Sequence, residues 1–214
     1  MTSLADVEFV VRTIAQTAVD NEKYFGDLDA VVGDGDLGYS LARGFEIVLS
    51  DWDSYDRTDI STFLSKVAIA ITSRIGGTSG PIWGTAFLRA AAVVRDKTDI
   101  TGNDVVAMLR AAIAGIMARG NAELGDKTLL DVLAPVADTI EAELVGESGA
   151  SEIVAASAQT ARAAADATTP MIARRGRAAY TGERSIGSPD AGAVAVAVIV
   201  EALAANWDQR DRTS

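Results

Sequence analysis

The chain is 214 residues long and 49% hydrophobic, with a formal net charge of −11 and a pI near 4.4. It contains no cysteine and no histidine, which excludes disulfides, thiolate catalysis, cysteine-type zinc sites, an imidazole base and a phosphohistidine on this chain. The acidic balance argues against nucleic acid or an anionic membrane as partner, and any polyanionic ligand needs metal ions or local basic residues to neutralise it.

The length fits one domain spanning residues 1–214 with a single sizeable core. Leu4, Val7, Val10, Val11, Ile14, Ala15 and Ala18 repeat at helical spacing. Ser3 is placed to cap that helix, and Asp6 lies in its first turn. An acid-rich turn follows. Leu41, Phe45, Val48 and Leu49 then line a second helix ending near Ser50, and the charged segment from Asp51 to Asp59 reads as a loop. Ile60, Phe63, Leu64, Val67, Ala68 and Ile71 form a third helix that stops at Gly76-Gly77.

Pro81 suits the first turn of the next helix, which runs through Trp83 and Phe87 to about Val94. Thr101 caps another helix ending at Gly120, with Val105, Val106, Leu109, Ile113, Ile116 and Met117 on its apolar face. After the loop Gly120–Lys127 comes a helix carrying Leu129, Leu133, Val136, Ile140 and Leu144; Pro135 inside it is expected to kink it or mark a break. An Ala-rich segment from Ser151 to Thr169, closed by Pro170, would let helices approach closely. A final apolar helix runs from Ala191 to about Trp207; its Ala/Val alternation could mimic a strand, but length and Ala content favour helix. The sum is about eight helices, no convincing strand and an all-α fold. The apolar run Ala191–Val200 is interrupted at Glu201 and is too short to cross a bilayer, and the N-terminus lacks the basic and apolar regions of a signal peptide. A cytoplasmic protein is the simplest expectation.

Chemistry concentrates at helix ends. The turn Asp29-Ala30-Val31-Val32-Gly33-Asp34-Gly35-Asp36-Leu37-Gly38 holds three carboxylates between glycines that permit tight turning. Such carboxylates repel unless a cation sits between them, and a hard divalent ion such as Mg²⁺ is the natural occupant. An EF-hand does not fit, because the twelfth position is Phe45 counted from Asp34 and Ser40 counted from Asp29, not Glu. The helix that follows offers a positive N-terminus for phosphate. Gly76-Gly77-Thr78-Ser79-Gly80-Pro81 is a second candidate phosphate cradle, without the lysine of a P-loop. The stretch from Arg174 to Gly192 gathers four arginines in an otherwise acidic chain and lacks any period; a loop this long in a compact domain is usually functional or disordered, and its Arg, Tyr and Gly content argues for an ordered ligand-facing loop over a linker. If helices alternate up and down, these loops share one rim.

Taken together and in order, five motifs make the chain resemble the nucleotide-binding L subunit of dihydroxyacetone kinase: Asp29-x-x-x-Gly33-Asp34-Gly35-Asp36-x-Gly38, Gly76-Gly77-Thr78-Ser79-Gly80-Pro81, Gly125-Asp126-Lys127-Thr128, Gly176-Arg177-Ala178 and Glu183-Arg184-Ser185-Ile186-Gly187. The resemblance implies a closed barrel of eight antiparallel helices with a nucleotide, ADP or ATP, at one end, held through two Mg²⁺ ions on Asp29, Asp34 and Asp36. It implies phosphate contacts from Leu37, Gly38, Tyr39 and Ser40 through backbone and hydroxyl, and from Thr78 and Ser79. Gly120 and Leu129 would border the base, and Arg177, with Asp190, Ala191 and Gly192, would close the site, Arg177 as candidate charge stabiliser. Lys127 and Arg184 stay open between ligand and structural ion pair. The chain departs from some family members in carrying Leu37 and Ser188 where they carry histidine.

The activity implied is phosphoryl transfer to dihydroxyacetone or a similar short ketose bound on a separate K subunit, with either exchangeable ATP or a retained ADP recharged by a phosphohistidine phosphotransferase protein. A nucleotide-sensing module that binds a transcription factor or kinase partner without catalysis is the alternative, and a fatty-acid kinase nucleotide domain is a weaker one.

Overall fold

The computed structural model describes residues 2–75 and 79–212, so Thr78, expected to contact phosphate, lies outside the described residues along with Gly76 and Gly77. Nine α-helices are found among the described residues: α1 (Leu4–Asp20), α2 (Glu22–Asp29), α3 (Leu37–Ser50), α4 (Ile60–Arg74), α5 (Ser79–Val93), α6 (Gly102–Gly120), α7 (Leu130–Val145), α8 (Ala150–Ala167) and α9 (Ala191–Asn206). Extended pairing among the described residues is confined to one antiparallel bridge between Thr2 and Ile100.

The caps follow the side-chain chemistry. Ser3 and Asp6 form a reciprocal box at α1, the Asp6 N–H donating to Ser3 Oγ (3.3 Å) and the Ser3 N–H to Asp6 Oδ2 (2.8 Å). Thr101 and Asp104 repeat it at α6, which ends on Asn121 in the left-handed region. Asp59 caps α4 by accepting from the Thr62 N–H at 2.7 Å.

Helices neighbouring in sequence pack together from α3 through α9, α1 packs on α3, and α9 returns to α1. Phe25, Phe45 and Phe63 are fully buried among α1, α3 and α4 with Val11, Leu41, Val48 and Ile71. A second cluster joins Val132 and Val136 of α7 to Ala161 and Ala165 of α8 and Ala193, Val194 and Ala197 of α9. The alanines there let backbones come close, as the Ala-rich composition suggested. α9 is apolar on all sides because α1, α2, α7 and α8 cover it.

Two local readings need correction. α2 is a separate helix beyond the eight that the sequence pattern signals: Phe25 is its one buried residue, so its apolar period is too sparse to register. Pro135 does not break α7, which runs unbroken from Leu130 to Val145. The helix forgoes the bond from residue 135, and burial of Val132, Ala134, Val136 and Ala137 on either side holds the segment together. The segment before α9 also contains a short 3₁₀ stretch, Arg177–Ser185, interrupted at Gly182.

Candidate metal and nucleotide site

The C-terminus of α2 and the N-terminus of α3 are joined by the acidic turn. Asp29 is the last residue of α2, Asp36 stands at the N-cap of α3, and Asp34 lies between them. Each of the three offers a carboxylate oxygen, and these oxygens lie within 4.8 Å of one another. Gly35 adopts φ +77°, a conformation that carries the chain from Asp34 to Asp36 without Cβ strain. Gly38 fixes the other side. A Cβ on Gly38 would overlap the carbonyl oxygen of Glu22 and crowd the Gly26 nitrogen, so α3 touches α2 backbone to backbone there. Gly38→Ala should therefore force the two helices apart and cost about 2–4 kcal/mol. Urea unfolding checks this; a loss under about 0.5 kcal/mol, the scale of an ordinary surface substitution, would contradict the packing described.

Asp36 makes no side-chain bond to its helix, so the first turn of α3 (Leu37, Gly38, Tyr39) lacks a conventional cap; the Leu37 N–H reaches Asp29 Oδ2 only at 3.4 Å. An uncapped helix N-terminus beside a carboxylate cluster is arranged for an anion carried with a cation. Arg177, from the loop between α8 and α9, pairs with Asp34, and its Nη2 lies 3.3 Å from Asp36 Oδ2. Three carboxylates against one guanidinium leave two negative charges, which fits a divalent ion of the hard, oxygen-seeking type.

Several of the other expected residues adjoin one another. Asp190 caps α9, accepting from the Ala193 N–H at 2.7 Å, and Ala191 is buried at the start of that helix. A Cβ on Gly192 would lie 3.1 Å from Asp190 Oδ2 and 3.7 Å from the Leu129 Cβ, so these three residues adjoin. Leu129 packs into the α7–α9 cluster with Leu28, the neighbour of Asp29, and into a further cluster with Ile82 of α5. Gly120 faces Ile82. Ser79 opens α5, two residues before Pro81. Tyr39 is exposed with the Arg43 guanidinium 5.3 Å from its ring centre, and Ser40 bonds through its N–H to the Asp36 carbonyl at 2.9 Å. Arg177, Asp34 and Asp36 are thus in direct contact, Leu129 ties the α9 start to α5, and Ser79 and Gly120 stand at the α5 and α6 ends of the same network.

Burial pushes the Asp190 carboxyl up to about 7, with Asp131 and Asp29 adding repulsion, while the Ala193 N–H and the Lys127 ammonium oppose the shift. The folded protein then retains a proton that the unfolded chain, titrating near 4, has released. The stability of the metal-free protein should accordingly fall as pH rises from about 4 to about 7. Asp190→Asn should flatten that part of the profile, and identical pH–stability curves for the two proteins would refute the assignment.

Lys127 resolves differently from either sequence-based alternative. It is 2% exposed, sits at φ +63°, and donates to three main-chain carbonyls: Ser185 at 2.5 Å, Ser188 at 2.7 Å and Met171 at 3.1 Å. Burial lowers its pKa, which the nearby Asp190 partly offsets. Burying an ammonium costs several kcal/mol, and three charge-assisted bonds at about 1.5–3 kcal/mol each are of the size to offset it. Its neighbour Asp126 is also buried; burial alone would raise its pKa, but the Glu123 N–H and the Arg175 guanidinium hold it below the ordinary value. Asp131, missed in the sequence, accepts from the Thr128 N–H at 2.8 Å and the Gly125 N–H at 2.5 Å. The pattern Thr128-x-x-Asp131 before an apolar run was a readable cap signal. Arg184, the other residue left open, shows no ion pair with another described residue.

Against known proteins, the family model described as the DAK2 domain matches residues 31–205. The ADP-binding subunit DhaL of the PEP-dependent dihydroxyacetone kinase of Escherichia coli is 36% identical over 182 residues, covering 85% of this chain and 87% of that protein. L-erythrulose 1-kinase of Mycolicibacterium smegmatis is 36% identical over 196 residues, but the match spans 91% of this chain and only 34% of that enzyme. Among solved structures, the dihydroxyacetone kinase from C. freundii in complex with AMP-PNP and Mg²⁺ superposes with a TM-score of 0.75 at 25% identity, over 94% of this chain and 33% of that one. The chain thus corresponds to nearly the whole of the DhaL subunit and to about a third of the larger kinases.

Proposed function

This chain belongs to the DAK2 domain family, with the DhaL ADP-binding subunits of dihydroxyacetone kinase among its relatives, and on that premise we propose that it is the Mg²⁺–nucleotide-binding, phosphoryl-donating subunit of a kinase for dihydroxyacetone or a related short ketose. The observation that carries this reading is the contact of Arg177 with Asp34 and Asp36 at the uncapped start of α3. It brings a cation of the loop before α9 to the place where carboxylates, a metal and phosphate oxygens would meet.

Asp29, Asp34 and Asp36 would hold two Mg²⁺ ions, which supply charge neutralisation at the phosphates when bound. The protein's own part is positioning. The first-turn N–H groups of α3 and Ser79 bind phosphate oxygens, Leu129 and Gly120 border the base, and Arg177 exchanges its carboxylate partners for the transferring group and stabilises its spread charge. No imidazole exists on this chain, so no phosphorylated histidine forms here, and the acceptor sugar belongs to a separate K subunit. Tyr39, Leu124, Tyr180 and Ile186 stand exposed on the segments that carry the site; exposed apolar side chains on those segments support docking of a second protein that excludes water. The order of helix neighbours, with α9 returning to α1, supports a single domain built as a closed barrel of eight long antiparallel helices, with α2 as a short addition. Recharging of a retained ADP by a phosphohistidine protein and exchange of free ATP are the two donor routes.

The test is reconstitution. The purified chain, the K subunit of a dihydroxyacetone kinase, dihydroxyacetone and Mg·ATP are mixed, with a parallel reaction supplying phosphotransferase proteins and ADP. Sugar phosphate formed only when both subunits are present supports the reading. Tight nucleotide binding without transfer under either donor would overturn the enzymatic part and leave a sensing module.

A further inference from the structure

The loop that carries Arg177 enters at Met171 and leaves at Asp190, and its neck is closed by bonds between its own two ends. The Gly187 N–H donates to the Thr169 carbonyl at 2.9 Å, the Ala173 N–H to Ser185 Oγ at 2.9 Å, and the Asp190 N–H to Thr168 Oγ at 2.8 Å. These bonds draw the two ends of the loop together at its base. Apart from the Arg177 contacts with Asp34 and Asp36, the loop is bonded to two residues of the Gly125-Asp126-Lys127-Thr128 turn. Lys127 Nζ bonds the carbonyls of Met171, Ser185 and Ser188, two on the outgoing limb and one on the incoming limb. Asp126 takes the Arg175 guanidinium at 2.8 Å, and its carbonyl accepts the Arg174 N–H at 3.0 Å. Arg175 stands two residues from Arg177. Beyond this neck the tip is open, with Tyr180 91% exposed.

We infer that Asp126 and Lys127 are positioning residues: they clasp both limbs of the loop and so set where Arg177 reaches over the Asp34–Asp36 pair. This rests on the phosphoryl-donor reading for what Arg177 does, but the clasp itself is a property of the chain alone. Neither residue touches the carboxylate cluster in the structure. Lys127 is chemically suited to the task because its ammonium has three donors and can satisfy three carbonyls at once, and a neutral residue would leave them buried without partners. Methionine keeps the length and loses every donor.

The experiment has two arms. Trypsin cuts after arginine, so the loop reports its own placement through Arg174, Arg175, Arg177 and Arg184. Folded Lys127→Met should be cleaved in the loop about tenfold faster than wild type, at a rate set by local opening, with Asp126→Asn intermediate and usable if the first variant does not fold. In the second arm, calorimetry at saturating Mg²⁺ gives the ADP affinity of Lys127→Met, Arg177→Gln and the double variant. Each single change should weaken ADP about tenfold, and the double change should also weaken it only about tenfold in total, because both remove the same contact. Unchanged cleavage, or a double variant weakened about a hundredfold, overturns the clasp as a positioning device. Wild-type protein that binds no Mg·ADP overturns the functional reading instead and leaves the cleavage arm to decide the clasp.

Discussion

Asp34→Asn is expected to weaken Mg²⁺-dependent ADP binding by at least about 100-fold, roughly 2.7 kcal/mol. The reason is electrostatic. Asp29, Asp34 and Asp36 concentrate three negative charges within 4.8 Å, and Arg177 neutralises one of them. Asparagine at position 34 leaves a single uncompensated charge and removes one hard oxygen anion, so a strongly hydrated divalent ion has little reason to shed water there. The same substitution relieves repulsion between carboxylates. The metal-free variant should therefore unfold at the same temperature as wild type or a higher one, which separates lost binding from lost folding. Titration calorimetry with and without Mg²⁺ checks it; wild-type ADP affinity in the variant would refute the role of the cluster.

Arg177→Gln is expected to lower the turnover of the reconstituted kinase about 10³-fold, the scale on which an arginine serves a transferring phosphoryl group. Its effects on the two ligands should have opposite signs. The guanidinium occupies Asp34 and Asp36 in the structure, so its removal frees those carboxylates and should tighten binding of Mg²⁺ alone. Nucleotide, in contrast, loses a cation and should bind more weakly. Isothermal titration of each ligand separately, together with a coupled turnover assay, reads all three quantities. Equal loss of Mg²⁺ and ADP affinity would indicate that Arg177 only holds the loop in shape, and unchanged turnover would remove it from the chemistry.

The helices were legible because their signals are local. Ser3 with Asp6 and Thr101 with Asp104 cap where a hydroxyl followed by a carboxylate at the third position requires it. Gly120 was expected to close α6, and α6 ends there. α2 escaped because a single buried phenylalanine does not make a period, and α7 continues through Pro135 because tertiary burial outweighs one missing bond. The acidic trio could be singled out from residue type and glycine spacing alone. Its contact with Arg177, about 140 residues away in sequence, could not, because long-range juxtaposition leaves no local pattern. Lys127 shows the same limit: the residue stood out, but its three carbonyl partners belong to backbone that any sequence could supply.

The central claim is that the carboxylates of the α2–α3 turn hold metal at nucleotide phosphates. It is tested most directly by anomalous diffraction from crystals of the chain grown with ADP and Mn²⁺ in place of Mg²⁺. Manganese peaks bridging Asp29, Asp34 and Asp36 to a diphosphate at the start of α3 are the result expected. Bound ADP with manganese elsewhere, or a diphosphate distant from that helix end, would contradict it.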